Sequence, residues 1–290
     1  MSVSRKLMSV QKADDAVYSA DLTNASPDNV SLDLTTNSII DPRGISFNSD
    51  GSELVVICRS TDKFHTYSLS NNYLLTGTVT YLGASRTLST GRANPQGMCF
   101  GKNGERLYNT DSADKVLEYH IPSSDAYDVS QATYQGTSQD YNTNNWETTP
   151  GGIAFSPDGT KMYVSGTVGD AIVEVALSTD WDVSTGTTNT SGSNSIVTLD
   201  VSSEDGASSG ITFNSDGTKL YMIGRANDTV FQYGLTTAYD LSTASYDNIS
   251  YSPPSSVNDG NWRGIAFNPT YTKMFLVGQG YDKVQQFSCD

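Results

Sequence analysis

The 290-residue chain is poor in cysteine, histidine and positive charge, with three Cys, two His and 17 Lys+Arg against 32 Asp+Glu, a formal net charge of −15. Each scarcity excludes something. Cys58, Cys99 and Cys289 are odd in number and widely spaced, which makes neither a disulfide framework nor a zinc site. Cys58 and Cys99 sit in apolar runs and read as small buried hydrophobes. Nucleic-acid binding needs clustered Lys and Arg to neutralise phosphates, and an anionic membrane surface asks for the same, so neither partner is expected. No apolar run approaches the ~18–20 residues that span a bilayer, and the first residues lack the apolar core of a secretory leader. Helical periodicity is missing too, with no amphipathic pattern sustained over about 11 residues.

What the chain does have is an internal repeat. Five segments align, led by Gly44, Gly97, Gly152, Gly210 and Gly264, at spacings of 53, 55, 58 and 54 residues. Units of that length use up the chain and leave no room for a second domain. Each opens on a short apolar run of small residues, such as Gly-Ile-Ala-Phe at 152–155. A turn follows: Asn-Ser-Asp-Gly at 48–51 and 214–217, Ser-Pro-Asp-Gly at 156–159, Gly-Lys-Asn-Gly at 101–104. Asp-Gly and Asn-Gly supply the positive φ of tight hairpins. A second alternating run (Lys-Met-Tyr-Val, 161–164), an aspartate (Asp62, Asp114, Asp170, Asp228, Asp282) and a third run come next, and a more polar fourth run closes the unit.

Four short antiparallel strands repeated five times predict an all-β chain, a five-bladed β-propeller of four-stranded antiparallel blades with the apolar first strand at the axis. A lone four-stranded sheet cannot bury both faces; stacked blades can. The last unit stops after its third strand, whereas residues 30–34 upstream of the first unit match a fourth, so an N-terminal strand is expected to close the ring and remove an open edge. Residues 16–22 look like a further third strand lying outside the ring. The chain therefore divides into an N-terminal arm, 1–15, and a propeller, 16–290.

The text Gly-Ile-Ala-Phe-Ser-Pro-Asp-Gly-Thr-Lys-Met-Tyr-Val at 152–164 resembles the YVTN-type propeller repeat. A second phrase follows the third strand: Ser-Thr-Asp-Trp-Asp-Val-Ser-Thr at 178–185, with counterparts at 123–130 and 236–243. It resembles repeats in structural and fibre proteins of marine bacteriophages, and in large surface proteins of aquatic bacteria. The first unit departs from it, and the last ends before reaching it. The resemblance implies a virion component, a module of a tail, fibre or capsid surface. Such folds host many functions, so the residues must be weighed directly.

Few of them offer chemistry. The residues just before the leading glycines should line one mouth of the central channel: Arg43, Gln96, Gly151, Ser209 and Arg263. This set has no carboxylate or histidine for acid–base work, but its two arginines suit an anion such as an acidic sugar or a partner's carboxylate, unless local acids such as Asp41 or Asp259 neutralise them. Trp146 and Trp262, each flanked by asparagine, are candidate platforms for sugar rings, or else pack between blades. His65 and His120 read as occupants of one structural slot in neighbouring units, and the five aspartates as closers of local Asx-turns rather than a metal ring. No metal or cofactor is expected. In the arm, Arg5, Lys6 and Lys12 join Leu7 and other apolar residues on an otherwise acidic molecule, a pattern for docking on another subunit.

The expectation is a non-enzymatic virion component that mediates protein–protein or host-surface attachment. Its partners would be other virion proteins or copies of itself, with a host-surface glycan as a further ligand. The alternatives are a lectin-like propeller at a cell surface or outside the cell, and a lactonase-like hydrolase.

Overall fold

A computed structural model describes residues 18–85, 94–138, 149–167, 169–187, 196–257 and 260–290. It contains five four-stranded antiparallel sheets. Blade I is β2 (Pro42–Phe47), β3 (Glu53–Cys58), β4 (Lys63–Leu69) and β5 (Val79–Ala84). Blade II is β6 (Pro95–Gly101), β7 (Arg106–Asp111), β8 (Lys115–His120) and β9 (Thr133–Thr137). Blade III is β10 (Pro150–Phe155), β11 (Lys161–Gly166), β12 (Ala171–Ala176) and β13 (Val197–Asp200). Blade IV is β14 (Ser208–Phe213), β15 (Lys219–Gly224), β16 (Thr229–Leu235) and β17 (Ala244–Tyr251). Blade V takes β18 (Trp262–Phe267), β19 (Lys273–Gly278) and β20 (Lys283–Ser288) from the C-terminus, and β1 (Ser26–Asp33) from the N-terminus. β1 runs antiparallel to β20, with Val30 opposite Gln286 and Asp33 opposite Lys283.

The inner strands touch in a closed circuit, β2 to β6, β10, β14, β18 and back to β2. The leading glycines make this approach possible. A Cβ on Gly97 would sit 2.3 Å from the Gly151 carbonyl oxygen, and one on Gly264 would sit 2.8 Å from the Gly44 Cα. Burial falls outward as the sequence implies. β3, β11, β15 and β19 are buried on both faces, whereas the outermost β5 and β13 alternate between half-buried and exposed.

Two devices recur on one face of the ring. In the first four blades the turn glycine has positive φ (Gly51, Gly104, Gly159, Gly217), and an aromatic from the connection after the third strand lies over it: Tyr73, Tyr127, Trp181 and Tyr239. Each aromatic packs on the phenylalanine that ends the apolar run of the inner strand, at ring separations of 5.2, 5.0, 5.5 and 5.2 Å. Blade V swaps the parts. Tyr271 stands in the turn itself with φ 58°, and its ring lies 5.2 Å from Phe267.

The second device is the rim phrase. Asp128, Asp182 and Asp240 cap a single 3-10 turn by accepting the backbone N–H of Ser130, Ser184 and Ser242. The next residue, Val129, Val183 or Leu241, is buried. The same arrangement occurs at the N-terminus, where Asp21 accepts from Thr23 and Leu22 is buried between blades IV and V. This corrects the reading of 16–22 as an extra edge strand. The described part of it, 18–22, is the last blade's rim phrase, which the chain supplies from its other end.

Four of the five strand-three aspartates hold backbone, as expected, but not in local turns; the buried Asp170 Oδ1 has no hydrogen-bond partner among the described residues. Asp62, Asp114, Asp228 and Asp282 each reach into the next blade and accept the N–H of Asn94, Thr149, Asn261 and Asp41, at 2.9, 2.8, 2.5 and 2.8 Å. All four recipients have positive φ. Asp205, in the connection from β13 to β14, holds backbone of blade IV itself, accepting from Ala207, Ala226 and Asn227.

Candidate functional site

The residues just before the leading glycines do gather at one mouth of the channel. Arg43 is buried. Its Nε lies 2.7 Å from Asp41 Oδ1, and it donates to Asp41 Oδ2 at 2.9 Å and to Gln96 Oε1 at 3.2 Å. Ser209 donates its hydroxyl to the Arg263 carbonyl at 2.9 Å. Arg263 is 9% exposed and donates to Gln279 Oε1 at 2.7 Å. Its Nε is buried with no hydrogen-bond partner, and no carboxylate pairs with it among the described residues.

Two further arginines complete the mouth, and the sequence reading missed them. Arg59 follows β3; it donates to Asn94 Oδ1 at 3.0 Å and lies 3.9 Å from Asp41 Oδ2. Arg225 follows β15. Together with Gln279 they occupy one repeat position, the residue after the second strand, so aligning that column would have exposed them. Burial pulls the Arg263 guanidinium down to about 9, and the charges of Arg43 and Arg225 push the same way. Burial also lowers Arg43, but its Asp41 partner opposes the shift.

The opposite mouth is of different character. A cavity of about 440 Å³ opens there, lined by the last three positions of each inner strand's apolar run, the turn residues Asn48, Asn214 and Asn268, and the overlying Tyr73, Tyr239 and Tyr271. The tyrosine hydroxyls are already committed to backbone carbonyls, such as Tyr73 to Ser49 and Tyr271 to Phe213. Cys99 lines this cavity, and burial raises its thiol far above the ordinary range.

Trp262 is not a sugar platform. It is 1% exposed and packs edge-on to Phe287 at 6.3 Å in the core between blades IV and V. Trp146 and the arm residues Arg5, Lys6, Leu7 and Lys12 lie outside the described residues. The histidines do not share a slot. His65 pairs across to Val56 and His120 to Arg106, three positions apart in the repeat. His65 is buried between Thr61 Oγ1 (2.8 Å) and Tyr81 Oη (2.9 Å). His120 meets Glu118, whose other oxygen accepts the Val183 N–H of the next blade's rim phrase.

No family model matches the chain, and no curated protein matches it in sequence. Among solved structures it is similar to a candidate 6-phosphogluconolactonase of Bacteroides fragilis, at 14% identity and a TM-score of 0.47 over 78% of this chain and 58% of the other. A Desulfotomaculum acetoxidans protein of unknown function is similar at 11% identity and 0.44, over 82% and 63%. The Swd1 β-propeller domain of Myceliophteria thermophila is similar at 10% and 0.49, over 92% and 100%. The chain thus spans less than two thirds of the first two proteins. At such identities these likenesses say nothing about activity.

Proposed function

We propose that this propeller is a non-enzymatic attachment module. It is carried on a larger assembly, a virion in the reading that the rim phrase supports, and it holds a partner or a surface glycan at the arginine-lined mouth. The chemistry of that mouth carries the reading. Guanidinium, amide and hydroxyl groups from Arg43, Arg59, Arg225, Arg263, Gln96, Gln279 and Ser209 hold anions and hydroxyls, but none of them exchanges protons readily near neutral pH. The one acid paired there, Asp41, is tied to Arg43. The test is a panel of lactones and esters offered to the full chain with and without EDTA. No turnover above buffer is expected. Turnover that EDTA abolishes would replace this reading with that of a metal-dependent hydrolase.

A further inference from the structure

Elsewhere among the described residues, half-buried lysines meet carboxylates. Lys161 lies 2.8 Å from Glu174, Lys219 2.6 Å from Asp247 and Lys273 2.8 Å from Asp28. Arg263 departs from that rule. It is the more deeply placed group, yet among the described residues its guanidinium meets only the neutral side-chain carbonyl of Gln279. Burying a charge without a counter-charge is costly, and a guanidinium is the side chain least able to escape by neutralising. The neighbours make the position worse. Arg43 and Arg225 both act against the Arg263 charge, and the favourable field of Asp41 is shared with Arg43 and Arg59. Four of the eight arginines in a chain of net charge −15 thus converge on one sector of the mouth, from blades IV, V and I.

The sector is also rich in donors and poor in acceptors. Gln279 spends its side-chain carbonyl on Arg263, Gln96 spends its own on Arg43, and Asn94 spends its own on Arg59. The amide N–H groups of Gln279 and Asn94 remain beside the guanidinium groups. The chemical complement of such a surface is a ligand that brings an anion to Arg263 and Arg225 and hydroxyl oxygens to the amides.

We infer that the sector formed by Arg263, Arg225, Gln279 and Asn94 binds a sugar bearing an oxyanion, either the carboxylate of a sugar acid or the phosphate of a sugar phosphate. The inference rests on the reading of this mouth as an attachment site and specifies its ligand. Glucuronate, glucose 6-phosphate, glucose and inorganic phosphate are titrated calorimetrically against the full chain at low salt. At least one of the two sugar anions should bind more tightly than both glucose and inorganic phosphate, and the tighter of the two identifies the anion. Equal binding of inorganic phosphate would overturn the role of the hydroxyls. Equal binding of glucose would overturn the role of the charge, and no binding by either sugar anion would overturn the whole inference. Arg225→Gln, at a half-exposed position where folding is not at stake, should weaken the preferred ligand about tenfold, the worth of one charge-assisted hydrogen bond. Arg263→Gln should remove binding, with its circular dichroism spectrum unchanged. Unaltered affinity in both variants would place the ligand elsewhere. Binding without turnover of the lactone panel upholds both readings. No binding and no turnover sinks this inference alone, and turnover sinks the attachment reading.

Discussion

At the level of single residues, the repeat was a good guide to position and a poor one to environment. Arg43, Gln96 and Arg263 could be placed together because they share one column of the alignment. Trp262 could have been placed too: its column holds Pro42, Pro95, Pro150 and Ser208, all buried. Flanking asparagines drew attention to its polar neighbours, when the slot itself decides its exposure. His65 shows what such burial does to a titrating group. Desolvation, with a smaller push from Lys63, lowers it to about 4. In the unfolded chain it takes up a proton near 6.5. Between those values the unfolded state binds more protons, so stability is full above about pH 6.5 and declines as the pH falls toward about 4. The decline attributable to this residue is of order 3 kcal/mol. Urea unfolding at pH 7 and pH 4.5 should therefore show a smaller loss for His65→Asn than for the parent chain. An equal loss in both would mean that the imidazole is not what titrates.

Among the elements, the strands were legible because alternation and Asp-Gly turns are local signals, whereas the clamps between blades were not. An aspartate before a strand predicts an Asx-turn from sequence alone. Nothing in one repeat reveals that its carboxylate reaches a backbone N–H more than thirty residues onward, as Asp228 does to Asn261. The same limit hid the role of 18–22, whose rim-phrase character shows only once β1 is known to belong to the last blade. The clamp can be tested by separating its two requirements, a carbonyl or carboxyl acceptor and a backbone at φ 50°. Asp228→Asn keeps both and should unfold within about 0.5 kcal/mol of the parent. Asp228→Gly keeps the backbone and loses the acceptor, at about 1–3 kcal/mol. Asp228→Ala loses both and should cost about 1 kcal/mol more than glycine. If alanine and glycine prove equal to asparagine in denaturant midpoint, the clamp does not hold blades IV and V together.

For the whole molecule, the decisive feature is that the first and last strands share one sheet. The five leading glycines, at four similar spacings, already set the number of blades, and the missing fourth strand of the last unit pointed to the N-terminus, as the need to leave no open edge requires. The closure is built with more than ladder bonds. Asp28 accepts from Lys273, Gln286 and Ser288, and Leu34 and Ile39 beyond the strand are fully buried against blade I. Leu22 fills the seam with blade IV, and burying one such side chain is worth about 2 kcal/mol. With the ends joined, no blade can leave without breaking two seams, so unfolding should be a single transition. Two truncations test this. Removing 1–17 leaves every contact named here in place, and the shortened chain should melt as one transition at the parent temperature. Removing 1–33 strips β1 and the rim turn from blade V and bares the length of β20. That chain should melt lower and over a broader range, and it should associate through the exposed edge in a concentration-dependent way. A monomeric 1–33 deletion melting at the parent temperature would show that the ring does not depend on its N-terminal strand.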